Sequence, residues 1–157
     1  MTTATSLDRA AIEARLPHRE PFLFLDRVHA LDLAGDRPAL TAHWRVPETA
    51  DFFRGHYPGN PVTPGVILCE HAFQAAAVLL AERGASFGAA ADVPVLARIE
   101  KAKFKRIVRP GETLITRVEL VEVIGPAVFL EARARVGDAL VLELRCALAR
   151  AARSDGA

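Results

Sequence analysis

Residues 63–84 read TPGVILCEHAFQAAAVLLAERG, a run that is apolar on nearly every side of a helix. Such a helix has no face to give to solvent, so the rest of the chain must wrap it. Its ends are signalled. Thr63 suits an N-cap, Pro64 suits the first helical position, where its missing N–H costs nothing, and Gly84 suits a stop. Gly65 breaks helical propensity near the start and suggests a close backbone approach. On the helical period Val66, Cys69 with Glu70, Phe73, Ala77 and Leu80 form one stripe. One carboxylate among these apolar side chains is the anomaly that needs a reason.

The wrapping material follows the helix. PVLARIEKAKFKRIV, ETLITRVELVEVI, AVFLEARARV and ALVLELRCALAR come in succession, punctuated by RPGE, GPA and GDA. Val128, Leu130, Ala132, Ala134 and Val136 alternate with Phe129, Glu131, Arg133 and Arg135, and Leu140, Leu142, Leu144, Cys146 and Leu148 make an apolar face. A period of two marks half-buried antiparallel strands. Upstream, residues 6–16 suit a short helix capped by Ser6, with Asp8 in its first turn and Pro17 at its end. Residues 21–31 suit a strand closed by AGDRP, and 39–46 a return strand antiparallel to it. Residues 47–63 are rich in proline and glycine and read as loop. The predicted class is α+β, a curved antiparallel sheet around a long central helix. One domain is expected over 1–150, with 151–157 a disordered tail.

The formal net charge of +1 argues against a strongly basic nucleic-acid binder. Cys69 and Cys146 read as buried free thiols of a reducing compartment, and no His/Cys cluster has metal-ligand spacing. The N-terminal stretch lacks a signal-peptide core, and the longest uninterrupted apolar run, 75–81, is too short to span a bilayer. A cytoplasmic protein, away from membranes, is expected.

An isolated buried carboxylate tends to hold its proton, so Glu70 is a candidate general acid. His56 lies in a rigid Gly/Pro loop, where a neutral imidazole can act as general base. Gly65 lies at a helix N-terminus, where free N–H groups favour a developing oxyanion. Base, acid and oxyanion donor together fit proton abstraction beside a carbonyl followed by loss of a leaving group. Plainer roles stay open: a solvated loop histidine, a glutamate paired with a cation, and His71 with Gln74 as a hydrogen-bonded pair at i, i+3.

Three stretches carry a resemblance. LPHREPFLFLDRV (16–28), FFRGHYPGNPVTPGVILCEHAFQAA (52–76) and ARIEKAKFKRIVRPGETL (97–114) stand in the order and at about the spacing of the motifs of the β-hydroxyacyl-acyl-carrier-protein dehydratases of FabZ type. The resemblance implies the hotdog fold. It implies dehydration of a (3R)-3-hydroxyacyl thioester on acyl carrier protein to the trans-2-enoyl thioester, in fatty acid or related lipid biosynthesis. His56 would take the proton from C2 and Glu70 would assist departure of the hydroxyl. The N–H groups of Gly65 and Val66 would polarise the thioester carbonyl, and Gln74 would support the acid. No metal or cofactor is implied. A homodimer with shared active sites is implied, with a hexamer as a trimer of dimers the further expectation. Glutamate at position 70, where the isomerising branch usually has aspartate, favours simple dehydration.

Tyr57 replaces the usual phenylalanine, His71 stands where a small or apolar residue is usual, and LARI places Arg98 where glycine is common. His71 is read as a neutral spacer. The 84–92 loop, with Phe87, suits a lid or a plain surface loop. Lys101, Lys103 and Lys105 share one face of a strand, with Arg106 and Arg109 nearby. They suit docking of an acidic carrier protein, or protection of an edge strand. No aromatic residues interleave on that face, which argues against nucleic acid. A hotdog acyl thioesterase and a non-catalytic acyl-binding subunit are the competing readings.

Overall fold

The computed structural model describes residues 6–84 and 92–152. The expected lid loop therefore lies almost wholly outside the described residues, as does the tail beyond 152. Helix α1 is Arg9–Glu13, followed by strands β1 (Arg27–Asp32) and β2 (Ala39–Arg45). A 3-10 turn at Asp51–Arg54 precedes helix α2 (Gly65–Glu82). Strands β3 (Asp92–Phe104), β4 (Thr113–Ile124), β5 (Ala127–Val136) and β6 (Ala139–Ala152) complete the chain.

The strands form one six-stranded antiparallel sheet in the order β1-β2-β4-β5-β6-β3. Helix α2 lies against β2, β3, β4, β5 and β6. From Leu68 to Leu80 every residue but Glu70 is buried. This is the α+β arrangement of a sheet around a central helix that the apolar pattern suggested, and the hotdog fold that the resemblance implied. Burying Leu68, Phe73, Val78, Leu79 and Leu80 contributes about 1.5–3 kcal/mol each. By length and composition α2 is apolar enough to cross a bilayer; its burial against the sheet makes it the core helix. The strand faces follow the alternation in part: Leu130, Ala132 and Ala134 of β5 and Leu142, Leu144, Cys146 and Leu148 of β6 are buried, but so are Phe129, expected outward, Val141 and Ala147, while Val128, Val136 and Leu140 are only half-buried.

Several local expectations change. The first helix is shorter than 6–16, because Asp8 rather than Ser6 caps it by accepting from the Ala11 N–H at 2.8 Å. Ser6 is exposed, and Leu7 instead bridges to Val28. Residues 21–26 are not strand. Their backbone is bonded to side chains of α2, and β1 begins only at Arg27. Thr63 does not cap α2. Pro64 holds the cap position, the Thr63 N–H turns to Val108 O at 2.8 Å, and its hydroxyl is buried with no partner among the described residues. At the other end Gly84 does end the helix, in the left-handed region at φ 77°. Strand β6 runs to Ala152, past the expected domain end at 150.

Candidate active site

The loop before α2 is held from three sides. The His56 N–H bonds Phe52 O, the Asn60 N–H bonds Tyr57 O, and Arg109 reaches across to Asn60 Oδ1 at 2.9 Å and Pro61 O at 3.3 Å. Tyr57 takes a left-handed φ of 63°, an uncommon conformation for a residue with a side chain, which this bonding maintains. The His56 ring is half-buried, with Nδ1 2.7 Å from the Val62 carbonyl. A carbonyl oxygen only accepts, so Nδ1 carries the proton and the neutral ring keeps its lone pair on Nε2. That is the state a general base requires. His56 lines a cavity of about 510 Å³ with Tyr57, Thr63, Gly65, Leu68 and Phe104.

Gly65 opens α2 inside that cavity. A Cβ there would stand 3.0 Å from the Phe104 ring, the close approach its position in the sequence suggested. Ile67 and Leu68 turn their N–H groups onto Pro64 O. Those of Gly65 and Val66 precede the helix's own bonding and have no backbone acceptor among the described residues, at the helix's positive end. The Val66 side chain is 74% exposed, which takes it out of the buried stripe.

Glu70 lies one turn further along α2 and is not among the residues lining the His56 cavity. It is not isolated either. Its Oε1 accepts from Gln74 Nε2 at 3.0 Å and stands 3.4 Å from His18 Nε2, and about a fifth of its side chain is exposed. Gln74, the residue expected to support the acid, is thus in hydrogen-bond contact with it. Gln74 is itself fixed, accepting the Phe24 N–H at 2.8 Å and donating to Phe22 O at 3.1 Å.

His71 is no spacer, and it does not bond Gln74. It is completely buried, with Nδ1 2.6 Å from Phe24 O and Nε2 2.7 Å from Thr116 Oγ1. The carbonyl fixes the proton on Nδ1, so the Thr116 hydroxyl donates to Nε2. Burial pushes the His71 pKa down to about 4, against the Phe24 hydrogen bond, with His43 lowering it further. The ring is a neutral strut between α2, β4 and the 22–24 segment. His71 and Gln74 thus take both backbone groups of Phe24. Periodicity along α2 could not show this, because the partners lie some fifty residues away.

Burial pushes the Cys69 thiol up to about 11 and the Cys146 thiol to about 12, so neither supplies a thiolate near neutral pH. Among the described residues no group of three His, Cys, Asp or Glu is placed to hold a metal. Arg98 points outward and pairs with Glu100 at 3.7 Å. Of the basic stripe, Lys101 and Lys103 are exposed, while Lys105 pairs with Glu143 and Arg106 bonds Glu112 twice. Register shifts at Leu96/Arg98 and Ile99/Lys101 break the regular alternation of β3.

The FabA-like domain family matches residues 16–145. The chain belongs to this family. Its relatives include 3-hydroxyacyl-[acyl-carrier-protein] dehydratases FabZ. That of Albidiferax ferrireducens is 38% identical over 149 residues, covering 94% of this chain and 97% of the relative. That of Fusobacterium nucleatum is 37% identical over 137 residues, covering 87% and 92%. That of Oenococcus oeni is 41% identical over 118 residues, covering 75% and 77%. Among solved structures, the dehydratase heterocomplex ApeI:P from Xenorhabdus doucetiae aligns with a TM-score of 0.59 at 23% identity, covering 78% of this chain and 96% of that one. An uncharacterised protein from Pyrococcus horikoshii gives 0.61 at 14% identity, covering 87% and 90%. These two show the shared fold.

Proposed function

We propose that the chain carries out the reaction named for its FabZ relatives with His56 as base and Glu70 as acid, the two meeting across a dimer. It is a 3-hydroxyacyl-[acyl-carrier-protein] dehydratase of fatty acid biosynthesis. His56 Nε2 takes the proton from C2 of the thioester. The electron pair moves toward the thioester oxygen, where the N–H groups of Gly65 and Val66 receive the charge. Glu70 gives its proton to the 3-hydroxyl, which leaves as water, and the pair closes the C2–C3 double bond. One proton is taken, one is given, and the sum is loss of water. The observation that carries this reading is the bond from His56 Nδ1–H to Val62 O, which leaves Nε2 as a base beside the start of α2.

The dimer rests on β3. This edge strand of 13 residues pairs only with β6 along the described chain, and Val95, Leu96 and Ile99 on it are 38%, 42% and 47% exposed. A long edge with an exposed apolar segment at 95–99 is a template for another strand, and a second copy of β3 is the occupant that also brings in a second set of site residues. The dimer can assemble further into a hexamer. Lys101 and Lys103 offer acidic carrier protein the free charges of the stripe, with Lys105, Arg106 and Arg109 contributing field through their local pairs. A cytoplasmic location suits such an enzyme.

Ile99→Glu places a charge on this edge. Light scattering should show a monomer, with dehydration falling at least tenfold; a full-rate monomer would place both residues in one chain's site. Co-expressing His56→Ala with Glu70→Gln tests the sharing independently. Mixed dimers should recover about half of wild-type activity, since one of their two sites keeps both groups.

A further inference from the structure

His18 touches the acid, and nothing in the sequence motif says why. It lies in a turn whose backbone is fixed by Arg19, whose Nη1 donates to Leu16 O and His18 O at 2.7 Å each, and by the Phe22 N–H to Arg19 O at 2.8 Å. Its ring stacks over Phe22 at 6.4 Å between centroids. Its Nδ1 is buried and meets no acceptor among the described residues. A proton on that nitrogen would be stranded, so the neutral ring carries it on Nε2, the atom 3.4 Å from Glu70.

Both contacts of Glu70 fall on one oxygen. Gln74 Nε2 and His18 Nε2 both approach Oε1. Among the described residues Oε2 has no protein partner, and it is the oxygen left to carry the transferable proton. Gln74 bonds this Oε1 and His18 Nε2 lies 3.4 Å from it; the two contacts come from different parts of the fold, but they are linked. Gln74 and His71 hold the backbone of residues 22–24, which closes the turn that carries His18.

We propose that His18 is a positioning residue for the general acid: with Gln74 it holds one carboxylate oxygen of Glu70 and thereby presents the other to the leaving hydroxyl. This rests on Glu70 being the acid. A donor to a carboxylate that aligns proton transfer is worth about 10- to 100-fold in rate. Because His18 acts through Glu70, its loss should appear in kcat rather than KM.

The test compares wild type, His18→Ala and His18→Gln as full-chain assemblies, with a (3R)-3-hydroxyacyl carrier-protein thioester as substrate. His18→Ala should lower kcat about 10- to 100-fold, move KM less than about threefold, and leave the melting temperature and assembly size unchanged. His18→Gln restores a side-chain N–H and should recover part of the loss. Wild-type kcat in His18→Ala, a loss confined to KM, or equal losses in both variants would overturn the proposal. Wild type that fails to dehydrate would instead overturn the activity on which it rests.

Discussion

His56→Ala should lower kcat for dehydration by about 10²–10⁴-fold while the protein stays folded and assembled. The ring is half-buried in a loop, and its one hydrogen bond among the described residues goes to the carbonyl of Val62, a loop residue outside the buried core, so little of the core depends on it. Glu70→Gln should cost a similar factor for the complementary reason. The amide keeps the shape of the carboxyl and can still accept from Gln74, but it has no transferable acidic proton. Circular dichroism and light scattering on each variant separate catalytic loss from unfolding. A Glu70→Gln variant that turns over near the wild-type rate would remove Glu70 as the acid.

The second large effect is on stability and comes from His71. In the unfolded chain its imidazole titrates near 6.5, whereas in the folded protein burial holds the pKa at about 4. Between those values the unfolded state binds the proton and the folded state does not. Stability is therefore full above about pH 6.5 and is lost progressively as pH falls toward 4. The difference corresponds to about 3 kcal/mol. His43 is lowered in the same direction, chiefly by burial and by His29 and Arg27, and adds to the slope. Denaturant unfolding at several pH values between 7 and 4 should show the loss. The double variant His71→Leu/Thr116→Val should be less stable at pH 7, because Phe24 O loses its donor. Its stability should nonetheless fall less steeply below pH 6.5. An unchanged slope would mean that His71 is not the neutral group in the folded core.

Much of the fold was legible because its strongest constraint is local. A helix apolar but for Glu70, His71 and Gln74 over most of its length needs a sheet around it, and the alternation in β5 and β6 supplied that sheet with many of the inward residues identified. What the sequence did not show depends on distant partners. Residues 21–26 have the composition of a strand, yet Gln74 and His71 take the Phe24 backbone groups that a strand would have offered to a neighbour. Thr63 has the right residue type and place for a cap, but Pro64 occupies the cap position and the hydroxyl finds no N–H. At the site, His56, Gly65, Glu70 and Gln74 lie in one continuous stretch, so the sequence offers them together as candidates, while only His56 and Gly65 share a cavity along this chain. His18 lies in the 16–28 motif, but its sequence position shows no role, because its contact with Glu70 spans some fifty residues and exists only once the 16–24 turn is folded against α2. Charge pattern was a partial guide. It grouped Lys101, Lys103 and Lys105 in one basic stripe but could not show that Lys105 pairs with Glu143 and that Arg106 is engaged by Glu112.

The most direct test of the central claim is to incubate the purified protein with (3R)-3-hydroxyacyl thioesters on acyl carrier protein and follow the carrier by mass spectrometry. Loss of one water per acyl chain, with the thioester intact and the product a trans-2-enoyl group, is the expected result. Release of free acid with unloaded carrier, or no change by a correctly assembled protein, would contradict the account.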